Sequence, residues 1–392
     1  PVYAARIDDS TSYINDKIID AGNSNSVYIY GGKDAVVEIK QGTLTLKNDG
    51  DYPSVAVEEN SKLTFKGDTV LIEKGDQWDD NAVIWVDDNC NLDFANAKTT
   101  ITGYGAIGLS TGEGASISSN ELLISNISTD DWHQGLELNS NSQFVGNGKV
   151  TINIENGKNV IGIYSDGASL TFNDLIIKNT GNTSTESNIG INLIDNTRSS
   201  QKFLSKKNID IDLQGGKDGT GFYSTHTNDI KVDGHLKINV NCVEVVQQVG
   251  NKGLYMTERS NFVGNTADIT VSGKKGVALY GQANNFTFNN EKSTIAFSDA
   301  VKVNAEIAIF ANSVKKNENV AVVDLQKDFI SLHDNSQISV DGNSRVDINN
   351  NGEGVVQFKG IMGVFQEGAI TTGDANININ MNNGTSYWNL TG

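Results

Sequence analysis

The sequence predicts an all-β fold: a right-handed parallel β-helix with three strands per rung, about 28 residues per rung and roughly 12 rungs. Three observations carry this prediction. An apolar pattern recurs at fixed spacing, its alternation has period two with no sustained helical period, and the composition is rich in turn formers. The 392 residues include 49 asparagines and 40 glycines but only two prolines. Asn and Gly tolerate left-handed turns and keep their backbone donors, whereas Pro would remove a donor from a strand ladder.

The pattern is two alternating apolar positions, six polar or small residues, then two more alternating apolar positions. It occurs as Val83, Trp85, Leu92, Phe94, again as Ile161, Ile163, Leu170, Phe172, and again as Val277, Leu279, Phe286, Phe288. Val55, Val57, Leu63 and Phe65 repeat it with one turn residue fewer. A second pair of copies, Gly135-Leu136 leading to Phe144-Val145-Gly146-Asn147 and Gly253-Leu254 leading to Phe262-Val263-Gly264-Asn265, lies 118 residues apart with intermediate copies near Gly162, Gly190 and Gly221. Each step holds about three short strand signals, as in residues 170–194. A single rung cannot bury its apolar side, but stacked rungs bury a continuous core. At about 4.8 Å per rung the stack would be a rod on the order of 58 Å long. Alternation places Val83, Trp85, Ile163, Phe172, Leu279 and Phe288 in the core, and aligned asparagines are expected to bond one another along the stack. A propeller blade needs about 40 residues and four strands, so the shorter period disfavours that architecture.

In chain order, residues 1–25 read as an N-terminal cap region of a single domain spanning 1–392. Insertions are expected near 128–134, 178–207 and 312–335, where the period is interrupted. The two most helix-compatible windows are 10–19 and 314–328. Cys90 and Cys242 are expected to be unpaired.

Composition also excludes functions. A net charge of −18, from 48 acidic and 30 basic residues, argues against a nucleic-acid partner, which needs a basic face. No apolar run approaches the length of a spanning helix. Gly108-Leu109-Ser110-Thr111-Gly112 matches the G-x-S-x-G elbow but lies beside a rung strand with no helix following, so Ser110 is not read as a nucleophile. Asp87 and Asp88 read as rung-turn residues. The four histidines, His133, His226, His235 and His333, make no ligand-type pair, so no metal or cofactor is expected. The interruptions supply the candidate binding residues: Trp132 and His133 in one loop, and Arg198, Lys202, Lys206 and Lys207 in a basic loop suited to an anionic glycan.

The rung pattern, the small residues Val2 and Ala4 spaced like the end of an export signal, and the segment 375–392 ending Trp388-x-Leu390-x-Gly392 together resemble a bacterial autotransporter passenger of the monomeric (type Va) kind. The resemblance covers the whole chain. It implies export, display at the bacterial outer membrane through a C-terminal barrel absent from this chain, or release from the cell. It also implies that the passenger lacks its autochaperone end here. With no protease-type serine segment, the expectation is a non-enzymatic adhesin that acts in adhesion or cell–cell aggregation, through self-association or a host surface receptor or glycan. The alternative is a polysaccharide-cleaving β-helix lyase or glycosidase, since VIWVDD faintly resembles a pectate-lyase segment, with Asp88 where that family has His.

Overall fold

The computed structural model describes residues 6–75, 82–105, 107–127, 132–197, 201–226, 229–245, 249–283, 290–313, 318–333, 336–342, 344–350, 360–363 and 376–381. They form an all-β parallel solenoid of about 11 turns, slightly fewer than the spacing suggested. The described residues contain 35 strands and no helix. The helix-compatible windows hold strands instead: Thr11–Tyr13 and Lys17–Asp20 in one, Val320–Leu325 in the other. Each pairs with a neighbouring turn, and those pairings outweigh a weak local preference. Chain contacts divide the molecule into two compact units, residues 1–206 with 213–217, and residues 207–212 with 218–392.

In the first unit each turn lays one strand on each of three faces. One turn consists of Val55–Val57 on the first face, Lys62–Lys66 on the second and Thr69–Lys74 on the third. The first-face register runs Val27↔Val55, Val55↔Ile84, Ile84↔Leu109, Leu109↔Leu136, Leu136↔Ile163 and Ile163↔Ile191. Those steps are 28, 29, 25, 27, 27 and 28 residues. All pairings are parallel, so each interior strand satisfies its backbone groups on both edges.

Three columns explain the sequence pattern. The first is a column of large apolar side chains. Leu63, Leu92, Ile117, Phe144, Leu170 and Phe203 stack as one buried column on the second face. Two residues on, Phe65 and Phe94 stack at 5.6 Å, and Gly146 pairs with Phe172. The rings of Phe144 and Phe172 lie 5.4 Å apart; a Cβ on Gly146 would meet both in ordinary contact at 3.5 Å but would lie 2.8 Å from Val150 Cγ2. The glycine of this Phe-Val-Gly-Asn copy is therefore fixed by packing, with Val150 as the tight neighbour.

The second column is glycine. Gly108, Gly135 and Gly162 occupy the first face where it passes closest to the third. A Cβ on Gly135 would lie 2.4 Å from Ile152 Cγ2 and 2.7 Å from the Gly162 carbonyl oxygen, and the other two meet the same kind of neighbours. The glycines that marked the 118-residue repeat are thus fixed by close approach of the backbone.

The third column is the corner between the first and second faces. Asn60, Asn89, Gly114, Asn141 and Gly167 all have positive φ, between 56° and 77°. Asn and Gly are the residues that accept that conformation at least cost. Each is followed by a small buried residue: Ser61, Cys90, Ala115, Ser142 and Ala168. Cys90 is therefore a corner-filling side chain, free and buried.

One core assignment is corrected. Val55 pairs with Ile84 and Val57 with Val86, so Trp85 points outward and is partly exposed. A slip of one residue reverses every side chain of a strand. Val83 is also apolar and buried, which made the slipped reading look regular. Val83, Ile163, Phe172 and Leu279 are buried as expected, while Phe286 and Phe288 lie outside the described residues.

The second unit repeats the plan. Its first-face register is Phe222↔Leu254, Leu254↔Leu279, Leu279↔Ile309, Ile309↔Ile338 and Ile338↔Met362, with steps of 32, 25, 30, 29 and 24 residues. Phe262 and Phe297 pack at 5.4 Å over Gly264, where a Cβ would lie 2.6 Å from the Phe297 ring.

The expected insertions contain strands that pair into the rungs. Residues 178–207 include Ser187–Ile194 and Lys202–Ser205. Residues 312–335 include Val320–Leu325 and Phe329–Ser331, which pair with Lys292–Phe297 and Val301–Asn304 of the turn before. Residues 11–20 likewise supply two strands of the first turn.

Candidate binding surface

The second face of the first unit presents two outward columns. One runs Asp34, Lys62, Asn91, Ser116, Gln143 and Ser169. Lys202, the residue before Phe203, continues it past Ser169. The neighbouring column runs Val36, Thr64, Asp93, Ser118, Val145, Thr171 and Leu204. Between them lies a shallow open depression lined by Lys62, Asn91, Asp93, Ser116, Ser118 and Gln143 among others. Strand alternation places these groups outward, because Leu63, Leu92, Ile117 and Phe144 take the inward positions. In the first column Lys62 and Lys202 stand towards the ends with neutral hydrogen-bonding groups between them, and Asp93 stands beside these in the second column. From Lys62 to Lys202 is five turns, roughly 24 Å at the usual strand spacing.

Asparagines border this face but do not form the amide-to-amide ladder the sequence suggested. Asn147 Nδ2 donates to Ser118 Oγ at 3.2 Å. Asn173 Nδ2 donates to the Asn147 carbonyl at 3.2 Å, and Asn120 Nδ2 to the Asn96 carbonyl at 3.3 Å. The amides mostly bond backbone carbonyls one turn earlier, where a corner leaves an acceptor unpaired.

The described members of the two sequence-derived groups lie on rung strands and a bend. Trp132 and His133 begin the strand Trp132–Leu138 and pair with Asn159 and Val160 of the next turn, so they belong to a rung. Arg198 lies outside the described residues. Lys202 is exposed on a strand, and Lys206 and Lys207 are exposed at the following bend. Lys202 is the one that joins the polar columns. Those columns were missed because their members become neighbours only once the register is known.

The residues weighed for catalysis are engaged structurally. Ser110 lies within Ile107–Thr111, and its hydroxyl donates to Glu137 Oε1 at 3.1 Å. Asp88 Oδ1 accepts the Glu113 amide at 2.7 Å, as a turn residue would. Among the described residues no group of three or more metal-type ligands occurs.

The second unit carries a different outward feature. Tyr223, Tyr255, Tyr280 and Phe310 stack along the first face with centroids 5.1, 4.2 and 4.9 Å apart. The hydroxyls of Tyr255 and Tyr280 both donate to Gln282 Oε1 at 2.8 Å. Burial raises both phenols well above their ordinary value, so they stay neutral donors. Beside them His226 Nε2 lies 3.0 Å from Glu258 Oε2, which also accepts from Thr225 Oγ1 at 3.2 Å. Tyr280 and Phe310 are buried, so this ladder braces the face rather than offering ring faces to a ligand.

No family model matches the chain, and neither the curated proteins nor the solved structures show a match to it.

Proposed function

We propose that this chain is a non-enzymatic, surface-displayed passenger of the autotransporter kind, exported by a bacterium and acting in adhesion or cell–cell aggregation. The observation that carries the reading is the pair of outward columns on the second face, which offer a hydroxyl, amide or lysine group at every turn from Lys62 to Lys202. Such a surface makes many weak contacts with an extended polar partner, and repetition over many displayed copies multiplies them by avidity. A host glycan or receptor and a second passenger both fit that description.

The test is display of the chain on a non-adherent bacterium, scored for clumping, for binding to host cells and for glycan binding. Clumping or binding that exceeds the empty-vector strain is expected. Loss of all three would refute the reading. Incubation of the purified chain with uronate polymers is expected to yield no unsaturated product; its formation would favour a lyase instead.

A further inference from the structure

The third face of the first unit holds a regularity that no single stretch of sequence displays. Its central outward column reads Ile18, Thr45, Leu71, Thr100, Leu123, Thr151, Ile176. Aliphatic residues occupy the odd turns and threonines the even ones, across seven turns. Ile18 is 60% exposed and the others are half-buried, so the column faces outward.

The column at the strand starts alternates in charge. After Asp16, Thr43 and Thr69 come Lys98, Glu121, Lys149 and Asp174. Carboxylates stand on odd turns and lysines on even ones. Asp16 accepts the Thr43 amide at 2.7 Å, and Lys98 lies 3.7 Å from Glu121. The column at the strand ends reads Asp20, Lys47, Glu73, Thr102, Ser125, Asn153, Lys178. It follows the same parity except at Lys178. In all, these columns carry four lysines and five carboxylates, a net of −1 on a chain of net −18.

We propose that this face is a self-association surface whose occupant is a second copy of the chain, laid antiparallel. An antiparallel copy related by a two-fold axis sets each column against itself, running the other way. With turns one to six overlapped, so that odd turns meet even ones, Asp16 meets Lys149, Lys98 meets Thr69, Lys47 meets Ser125, and no like charges meet. In that offset Ile18, Leu71 and Leu123 meet Thr151, Thr100 and Thr45, so large side chains face small ones, and Ile176 lies beyond the overlap. Asp16 and Lys149 are both exposed, so bringing them together costs little. The face is the nearly neutral part of an acidic molecule, which is where two copies repel least. Its height of about 29 Å and width of about 20 Å would bury roughly 1,100 Å² over both copies, the low end for a specific interface. Contacts of that size are weak singly and strong in arrays, which suits contact between cells.

This inference rests on the adhesion and aggregation reading and names its partner. The test uses two charge variants of the full chain, checked for native circular dichroism. Lys149→Glu sets two carboxylates against each other at the Asp16 contact; Asp16→Lys sets two lysines against each other there. Sedimentation velocity at rising concentration is expected to show reversible dimers for the unaltered chain. Each variant alone should associate at least tenfold more weakly, and an equimolar mixture should recover dimers. Leu71→Lys with Leu123→Lys should weaken dimers and not be rescued by either charge variant. Variants that associate like the unaltered chain, or a mixture that stays monomeric, would overturn the proposal while leaving aggregation through another face intact. An unaltered chain that stays monomeric in solution and does not clump displaying cells would overturn it together with the aggregation reading, leaving host binding standing.

Discussion

Replacing Gly135 by alanine tests the account of the glycine column most sharply, because the expected sign is the reverse of the usual one. Gly135 lies in a strand and its φ is not in the left-handed region, so alanine would ordinarily stabilise it by about 0.4–1 kcal/mol through the unfolded chain. Here the new Cβ would lie 2.4 Å from Ile152 Cγ2 and 2.7 Å from the Gly162 carbonyl oxygen. Ile152 is fully buried and the carbonyl belongs to a paired strand, so neither yields easily. Overpacking of this kind costs about 1–3 kcal/mol, leaving a net loss of about 1–2 kcal/mol. Gly32→Ala is the control: its Cβ would meet nothing within 4 Å, and its φ of +70° leaves only the left-handed penalty of about 1–2 kcal/mol. The assay is guanidinium unfolding followed by labelling of the Cys90 thiol, which reports on the first unit. Shortening Ile152 to alanine in the Gly135→Ala background should recover about 1 kcal/mol of coupling in a double-mutant cycle. If Gly135→Ala raises stability, the close approach of first and third faces is wrong.

Other expectations follow from the same columns. Cys90→Ala should change stability by less than about 1 kcal/mol, whereas Cys90→Leu should cost about 1–3 kcal/mol by overfilling the corner; denaturant midpoints separate the two. Asn141, at φ 58°, should lose about 1 kcal/mol as alanine and recover as glycine, read by the same unfolding curves. Phe172→Ala removes a ring packed between Phe144 and Phe203 and should cost about 3–5 kcal/mol. Burial pushes the Cys242 thiol up to about 12 and raises that of Cys90, so both should resist alkylation at pH 8 until their units unfold; prompt labelling of the native chain would contradict their placement.

Much of this architecture is legible in the amino-acid sequence because its constraints are local. A corner that requires left-handed backbone accepts Asn or Gly, and tight packing by a neighbouring ring or valine requires Gly two residues from Phe. Both leave short motifs, which is why Phe144-Val145-Gly146-Asn147 and its later copy stand out. Register does not leave such a trace. Along the central column of the third face the steps from Ile18 to Ile176 are 27, 26, 29, 23, 28 and 25 residues, so no fixed period reveals the aliphatic and threonine alternation. The same variability put Trp85 inside by one residue. It also made Lys202 look like part of a loop when it ends an outward column. Polar outward positions carry no packing requirement, so their alignment is invisible until the turns are stacked.

The charge balance leads to a prediction about ionic strength that separates the forces at the proposed self-association face. Two chains of net −18 repel at long range, and at about 0.01 M salt that repulsion extends roughly 30 Å, as far as the face itself. At about 0.15 M the range falls to roughly 8 Å, while lysine–carboxylate contacts pressed between two sheets are screened much less. At about 1 M the contact pairs weaken too, leaving the Ile18-to-Thr151 column to hold the copies on its own. Dimerisation should therefore be weakest in dilute salt, strongest near physiological ionic strength, and weaker again at high sodium chloride. An interface held only by apolar contacts would strengthen steadily with salt, and one held only by ion pairs would weaken steadily. Sedimentation across that range distinguishes the three, and a steady fall from the most dilute buffer would show that general repulsion between acidic chains is not what the balanced face has to overcome.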